Sequence, residues 1–215
     1  MRNRFTTLLS FVFFFSGFAS LIYQVVWQRL LTLYYGVGEI PITLIVSVYM
    51  LGLGLGSLFG GYLAERIRDR IVVYFIIELL IGVFGLFSLP FVDFLGRATA
   101  GASYQLTFFY VFLFLCIPTF LMGITLPLLT KIFNSVIGDF LNTISFLYFI
   151  NTVGAGAGAL FASYVIISFF GLDTAVYFAV AINLALAVMI LISQRYAVIP
   201  EILNLQELPP PKMIV

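Results

Sequence analysis

The chain has 215 residues, of which 63% are hydrophobic and 9% are charged, and its mean hydropathy is +1.18. Soluble domains carry roughly 25% charged residues, so this composition excludes one. Histidine is absent and there is one cysteine, which excludes imidazole metal sites, Ser-His-Asp triads and an intrachain disulfide. We therefore predict an integral membrane protein that has the lipid bilayer as a partner, needs no cofactor or metal, and binds no nucleic acid.

Long apolar runs predict an all-α bundle of about six transmembrane helices, since a helix needs about 20 apolar residues to cross a ~30 Å hydrocarbon core. We place the spans near 7–28, 40–64, 71–92, 106–130, 143–168 and 172–194. A cleaved signal peptide is an alternative interpretation of the first run, although that run is long for a signal core.

The distribution of basic residues predicts the orientation, because Lys and Arg in short loops are retained in the cytoplasm. Eight of the ten basic residues fall on one side of the predicted bundle, and only Arg29 and Arg97 fall on the other. We expect both termini to be cytoplasmic and the protein to lie in the inner (plasma) membrane of a prokaryote.

The first span ends in a polar and aromatic group that contains Gln24, Trp27 and Arg29. Such residues are typical interfacial anchors. Alternatively, Tyr23 and Trp27 could form an aromatic wall with the tyrosines at 34 and 35, suited to an amine through cation–π contact.

Two segments look like copies of each other: GLGLGSLFGGY at 52–62 and GAGAGALFASY at 154–164. They are offset by 102 residues and occupy the second and fifth predicted spans. Because three spans per unit is an odd number, the second unit must enter the membrane from the opposite face. We predict an inverted 3+3 repeat, with units at about 7–92 and 106–194 and a cytoplasmic tail at 195–215.

Glycines spaced four apart give each copy a smooth helix face, which permits close helix packing in lipid. These predicted packing residues are Gly52, Gly56, Gly60, Gly154 and Gly158. Plain packing and a sliding surface between moving halves both fit, and we expect the two glycine helices to meet near the centre of the bundle.

The fourth span contains Pro118 and Pro127, each of which removes a backbone donor. We predict a kinked helix that faces the interior, where Thr119, Thr125 or water serves the freed carbonyls. The cysteine, Cys116, is interpreted as a small core hydrophobe.

Glu78 is the acidic residue placed deepest in the predicted membrane region. An acid at a helix centre costs about 2.5–3.5 kcal/mol on insertion scales, so it normally faces a partner, a cavity or a pathway. Candidate ligand-binding or coupling partners are Gln24, Arg29, Asn151 and Asn183. A structural hydrogen bond between the two repeats is the simpler interpretation.

The turn at 61–70 holds the densest charge cluster of the chain. It fits an ordinary positive-inside turn, or a cytoplasmic salt-bridge latch formed by Glu65 and Arg66 that breaks during conformational change.

The segment SGFASLIYQVVWQR at 16–29, together with 52–66, 118–129 and 151–160, resembles the membrane region of spermidine-synthase-like integral membrane proteins. That resemblance implies a soluble aminopropyltransferase-like domain, for which we expect no counterpart in this chain. No catalytic residue can therefore be assigned, and we do not expect an enzyme. The turn at 61–70 also resembles, in part, the cytoplasmic signature of the major facilitator superfamily, with Glu65 replacing the usual Asp and Arg68 the usual Gly.

Three functions stay open at this point. The first is a non-catalytic membrane module that anchors or regulates a separate soluble aminopropyltransferase-like partner or belongs to a larger membrane assembly. The second is a transporter or binding protein for a small amine or other metabolite, for which a homodimer would restore twelve spans. An intramembrane enzyme is the third, and it lacks the acid and base pair that such chemistry normally requires.

Overall fold

The computed structural model describes residues 2–35, 39–99 and 101–195. Within these ranges the regular structure is entirely helical, as predicted. The helices are α1 (Arg2–Tyr35), α2 (Glu39–Arg66), α3 (Arg70–Ala98), α4 (Tyr104–Ile137), α5 (Phe140–Phe161) and α6 (Ile167–Arg195), with a π-helical turn at Ala162–Ile166 between the last two. The predicted tail from residue 196 onward lies outside the described residues.

Five continuous helical stretches in the described ranges are long and apolar enough to cross a membrane, which fits an integral membrane protein. The last of them, Phe140–Ile192, is 53 residues long. A straight helix of that length would measure about 80 Å, far more than a bilayer core of ~30 Å. Gly171 interrupts it with φ +86° and ψ 176°, a conformation that glycine adopts without a steric penalty.

The main helix contacts pair α2 with α4, α1 with α5, and α3 with α6, while α1 also packs on α6. The first three helices therefore do not form a separate bundle, because each takes its main partner from the last three. The buried side chains form one continuous apolar core, so the described helices make a single packed unit.

The glycine stripes lie where helix backbones touch. A Cβ atom at Gly56 would overlap the carbonyl oxygen of Phe120 on α4, and one at Gly158 would overlap that of Phe18 on α1. The expectation that the two glycine helices meet each other is therefore wrong at these residues. Each stripe packs instead against the first helix of the other half of the chain.

Helix α4 runs without a break through Pro118 and Pro127. The Thr119 hydroxyl donates to the Leu115 carbonyl and the Thr125 hydroxyl to the Met122 carbonyl, each at 2.7 Å. The carbonyls freed by the prolines are those four residues earlier, at 114 and 123. The threonines thus bond neighbouring carbonyls rather than the freed ones. Both threonines are buried, so this face of α4 does point into the bundle.

Candidate functional site

Glu78 lies in the interior of the bundle and joins three helices. Its side chain on α3 is 0% exposed. Oε1 accepts a hydrogen bond from the Ser16 hydroxyl of α1 at 2.6 Å, and Oε2 accepts one from Asn183 Nδ2 of α6, also at 2.6 Å. Hydrogen bonds to carboxylate oxygens are among the stronger ones in proteins, so this cluster fixes α1, α3 and α6 relative to one another.

A small residue on α3 allows the close approach of α6 that this cluster needs. A Cβ atom at Gly82, one turn after Glu78, would lie 3.3 Å from Asn183 Cβ and 3.1 Å from Leu184 Cδ2. A larger side chain at this position would push α6 away and lengthen the bond between Glu78 and Asn183. Gly82 therefore positions the site through packing alone.

The Tyr74 hydroxyl lies close to the Glu78 carboxyl and to the Ser16 hydroxyl and interacts with both. The Tyr23 hydroxyl and Asn183 Oδ1 are buried without a hydrogen bond in the protein. The indole N–H of Trp27 is buried and unbonded as well.

Two of the four predicted partners of Glu78 lie elsewhere. Arg29 is exposed on α1, 13 residues beyond Ser16 and so about 20 Å farther along the helix. Gln24 is half-buried and about 12 Å beyond Ser16 by the same rise. The structure therefore does not bring Arg29 or Gln24 to the carboxyl, and of the four candidates only Asn183 bonds to it.

Asn151, the remaining candidate, lies at the contact between α5 and α1. Its Nδ2 donates to the Phe13 carbonyl at 3.3 Å. A Cβ atom at Gly17 would come within 2.6 Å of the Asn151 carbonyl oxygen. Asn151 thus packs against the residue next to Ser16, where it ties α5 to α1.

The aromatic residues of α1 belong to the core. Tyr23 and Trp27 are 0% exposed and stack on each other with ring centroids 4.9 Å apart. Phe84 and Phe114 meet the Trp27 ring edge-on. The Tyr34 hydroxyl instead bonds Asp93 at the end of α3, at 2.7 Å. The predicted aromatic wall for an amine is therefore wrong for Tyr23 and Trp27, because neither ring reaches a surface.

The two predicted latch residues do not pair with each other, and each contacts a different partner. Glu65 forms an ion pair with Lys131 of α4 at 3.4 Å, and the Arg66 guanidinium lies over the Tyr62 ring, 4.1 Å from its centroid. The Arg70 Nε donates to the Ala64 carbonyl at 2.7 Å, which holds the start of α3 against the end of α2. The contacts at this end of the bundle thus connect α2 with α4 and α3.

Reversing both charges of the Glu65 and Lys131 pair should leave stability nearly unchanged. Both side chains are well exposed, at 68% and 41%, and exposed pairs contribute roughly 0–1 kcal/mol. Lys131→Glu alone should lower the thermal unfolding temperature in low salt, and Glu65→Lys in the same chain should restore it. A double variant that unfolds earlier than either single variant would contradict this pairing.

Two residues of the cluster around Glu78 were not predicted from the sequence. Tyr74 could have been found, since it lies four residues before Glu78 and shares its helix face. Ser16 carried no signal, because nothing in the sequence of α1 indicates which face turns toward α3.

Two other features were considered as sites. Among the described residues, no group of three or more Cys, Asp or Glu side chains could hold a metal ion. An open apolar groove of about 660 Å³ lies between α3 and α4, with Cys116, Phe84 and Ile117 in its lining. Cys116 is half-buried there, at the edge of the core rather than inside it.

Comparison with known proteins gives one match. The family model described as Major Facilitator Superfamily matches residues 9–213. No curated protein and no solved structure matches the chain. The family match agrees with the partial resemblance of the turn at 61–70, and the comparisons give no support to the spermidine-synthase-like resemblance or its polyamine chemistry. The chain therefore belongs to the Major Facilitator Superfamily and is a transporter-like membrane protein.

Proposed function

We propose that this chain is a six-span transport unit, built as an inverted 3+3 repeat, that moves a small amine or other small metabolite across the membrane. Membership in the Major Facilitator Superfamily supports the transport function, since each six-helix half of such transporters contains two inverted three-helix repeats. The same membership disfavours a non-catalytic module attached to an aminopropyltransferase-like partner, and no described contact favours that module.

Reciprocal glycine contacts carry the repeat proposal. Gly56 packs on the Phe120 carbonyl, and Gly158 packs on the Phe18 carbonyl. Adding 102 to 56 gives 158, and adding 102 to 18 gives 120, so the same offset exchanges one contact for the other. The helix pairs follow the same rule. Exchanging the two halves of the chain turns the α2–α4 contact into the α5–α1 contact and leaves the α3–α6 contact unchanged. Such an exchange is expected of two units related by a two-fold axis.

We place Glu78 at the meeting point of the two repeats, where α3 contacts α6. There it would serve as the coupling or ligand-binding residue, with Asn183 as its partner from the second repeat. The rest of the described core offers no basic side chain near this carboxyl. Arg97 is 79% exposed in the last turn of α3, and Lys131 is 41% exposed on α4, where it pairs with Glu65.

A second unit is needed to enclose a pathway, and we propose that it is a second copy of this chain. Helices α2 and α5 present matching outward faces. Gly54, Leu58 and Tyr62 on α2 correspond to 156 and 160 on α5 and to 164 in the π-helical turn that follows it. Leu58 is 77% exposed, and a Cβ atom at Gly54 would meet nothing within 4 Å. Bare glycines on an outer face favour close helix contact in lipid.

Cross-linking tests the homodimer. In a cysteine-free background made by Cys116→Ala, one tagged chain carries Gly54→Cys and a second, differently tagged chain carries Gly156→Cys. Gly54 and Gly156 are exposed and occupy corresponding positions of the two copied segments. A two-fold dimer that packs α2 of one copy on α5 of the other therefore brings the two cysteines together, and they form a disulfide under oxidation. Phe87→Cys, exposed on α3, is the control. Cross-linking no stronger than with this control would contradict the proposed homodimer.

Uptake of labelled putrescine and spermidine into vesicles tests the transport function. Wild-type protein should accumulate at least one amine above protein-free vesicles, and Glu78→Gln should reduce the rate at least tenfold without loss of folded protein. Background uptake in both would exclude amine transport. A panel of other labelled metabolites then decides whether the unit transports a different class.

A further inference from the structure

The junction between α5 and α6 differs from the junction between α2 and α3. Residues 162–166 form a π-helical turn, whereas the corresponding residues of the first copied segment, 60–64, continue the regular helix α2. A π turn closes its hydrogen bonds between residues five apart instead of four, so it contains one surplus residue. Such turns are rare and are frequently found at functional sites. The two junctions therefore have different local structures.

The hydrogen bonds of the π turn have two possible arrangements. The Ile167 N–H donates to the Ala162 carbonyl, five residues earlier. In a regular α-helix the same N–H would donate to the Ser163 carbonyl, four residues earlier. The Ser168 hydroxyl donates to that Ser163 carbonyl at 3.0 Å. Ser168 thus stabilises the π form, and moving the Ile167 bond by one residue gives the α form.

Both flanking helices are held by contacts outside the turn. Gly158 of α5 packs on the backbone of α1, and Asn183 of α6 bonds Glu78 of α3 at 2.6 Å. Beyond the turn, Gly171 interrupts the helix with φ +86°. A change from π to α bonding can therefore leave α5 and α6 in place, because the four residues at 167–170 turn between them and Gly171 absorbs the rotation.

The segment 167–170 can turn at low cost because most of it is exposed. Three of its four residues are exposed, and Phe169 and Phe170 are so to 76% and 66%. The first junction is different, since the Arg70 Nε donates to the Ala64 carbonyl at 2.7 Å and ties the start of α3 to the end of α2. The first junction thus has a side-chain tie where the second has a surplus residue and a glycine break.

We propose that the segment 167–170 is a conformational switch with two positions. The bonding of the preceding turn, π or α, sets the position, and Ser168 holds the segment in the π position. The change rotates the segment by about 100°, the angle of one residue in an α-helix, and so re-aims the rings of Phe169 and Phe170 at this end of the bundle. The switch depends neither on amine transport nor on the homodimer.

Electron paramagnetic resonance of a nitroxide label at Phe169→Cys tests the switch, in the Cys116→Ala background and in lipid. The spectrum should contain two components, and Ser168→Ala should change their ratio about fivefold, the effect of one hydrogen bond. Ser47→Ala is the matched control, because that exposed hydroxyl bonds the carbonyl four residues earlier in a regular helix, and it should leave the ratio unchanged. A single component, or a ratio that Ser168→Ala does not change, would overturn the proposal.

Deleting Val165 removes the surplus residue and leaves a regular α-helix that holds the segment in its π position. This variant should keep its folded, monodisperse form, and its label should show one component, the one that Ser168→Ala diminishes. Deleting Ala157 is the matched control, because it rotates Gly154 by about 100° relative to Gly158 and should destroy the packing of α5 on α1. Equal loss of folded protein with both deletions would contradict the switch, whatever the result of vesicle uptake.

Discussion

Gly158→Ala should destabilise the protein, whereas Gly156→Ala, two residues earlier on the same helix, should leave stability unchanged or slightly raised. The added methyl at 158 would overlap the Phe18 carbonyl oxygen of α1, a backbone atom that cannot rotate away. Overpacking of this kind typically costs 1–3 kcal/mol. The methyl at 156 meets nothing within 4 Å, and alanine favours a helix over glycine by about 1 kcal/mol.

Thermal unfolding in a mild detergent measures both variants, with the surviving monodisperse fraction after heating as the readout. Gly56→Ala and Gly54→Ala form an equivalent pair on α2, since a Cβ atom at Gly56 would overlap the Phe120 carbonyl and one at Gly54 would meet nothing within 4 Å. Equal losses at 158 and 156 would mean that α1 and α5 are not in backbone contact. A loss at 158 without one at 56 would weaken the repeat proposal.

Glu78→Leu should destabilise the contact between α3 and α6. It removes the acceptor of both the Ser16 hydroxyl and the Asn183 amide. Ser16 can turn to a carbonyl of its own helix, but the buried Asn183 amide is left without an acceptor, which costs about 1–3 kcal/mol. We expect a chain that inserts but loses its folded, monodisperse form at temperatures the wild type survives.

Adding Asn183→Leu to Glu78→Leu should recover most of that loss, because apolar side chains on both sides leave no polar group stranded. Ser16 can then bond the carbonyl four residues earlier, as Ser20 does with Ser16 at 2.8 Å. The same unfolding assay tests this double variant. A double variant less stable than Glu78→Leu alone would show that Asn183 serves another partner and that the bond to Glu78 is secondary.

The helices were predictable because a bilayer leaves the backbone no alternative. Lipid offers no hydrogen bonds, so a long apolar run must be helical. The gap predicted between 168 and 172 contains Gly171, where the last long helix breaks. The helix ends were less predictable: α1 continues to Tyr35 rather than stopping near 28, because the helix extends past its apolar part.

The contacts of these helices were less predictable. A glycine stripe indicates that another helix approaches, but not which one, so the pairing of Gly56 with α4 and Gly158 with α1 could not be read from sequence. Arg29 could have been excluded as a partner of Glu78, since the two lie toward opposite ends of their predicted spans. Ser16 could not have been included without knowing how α1 is rotated against α3.

The pairing of α1 with α5 sets an order of assembly during synthesis. α2 can dock on α4 as soon as α4 enters the membrane, but α1 has no main partner until α5 is made, and α3 waits for α6. α1 ends at Tyr35 and α5 begins at Phe140. At about 5–20 residues per second, α1 stays unpaired for roughly 5–20 s after its own synthesis. During that time the face of α1 that later packs on Gly154 and Gly158 is open to lipid, to chaperones and to proteases.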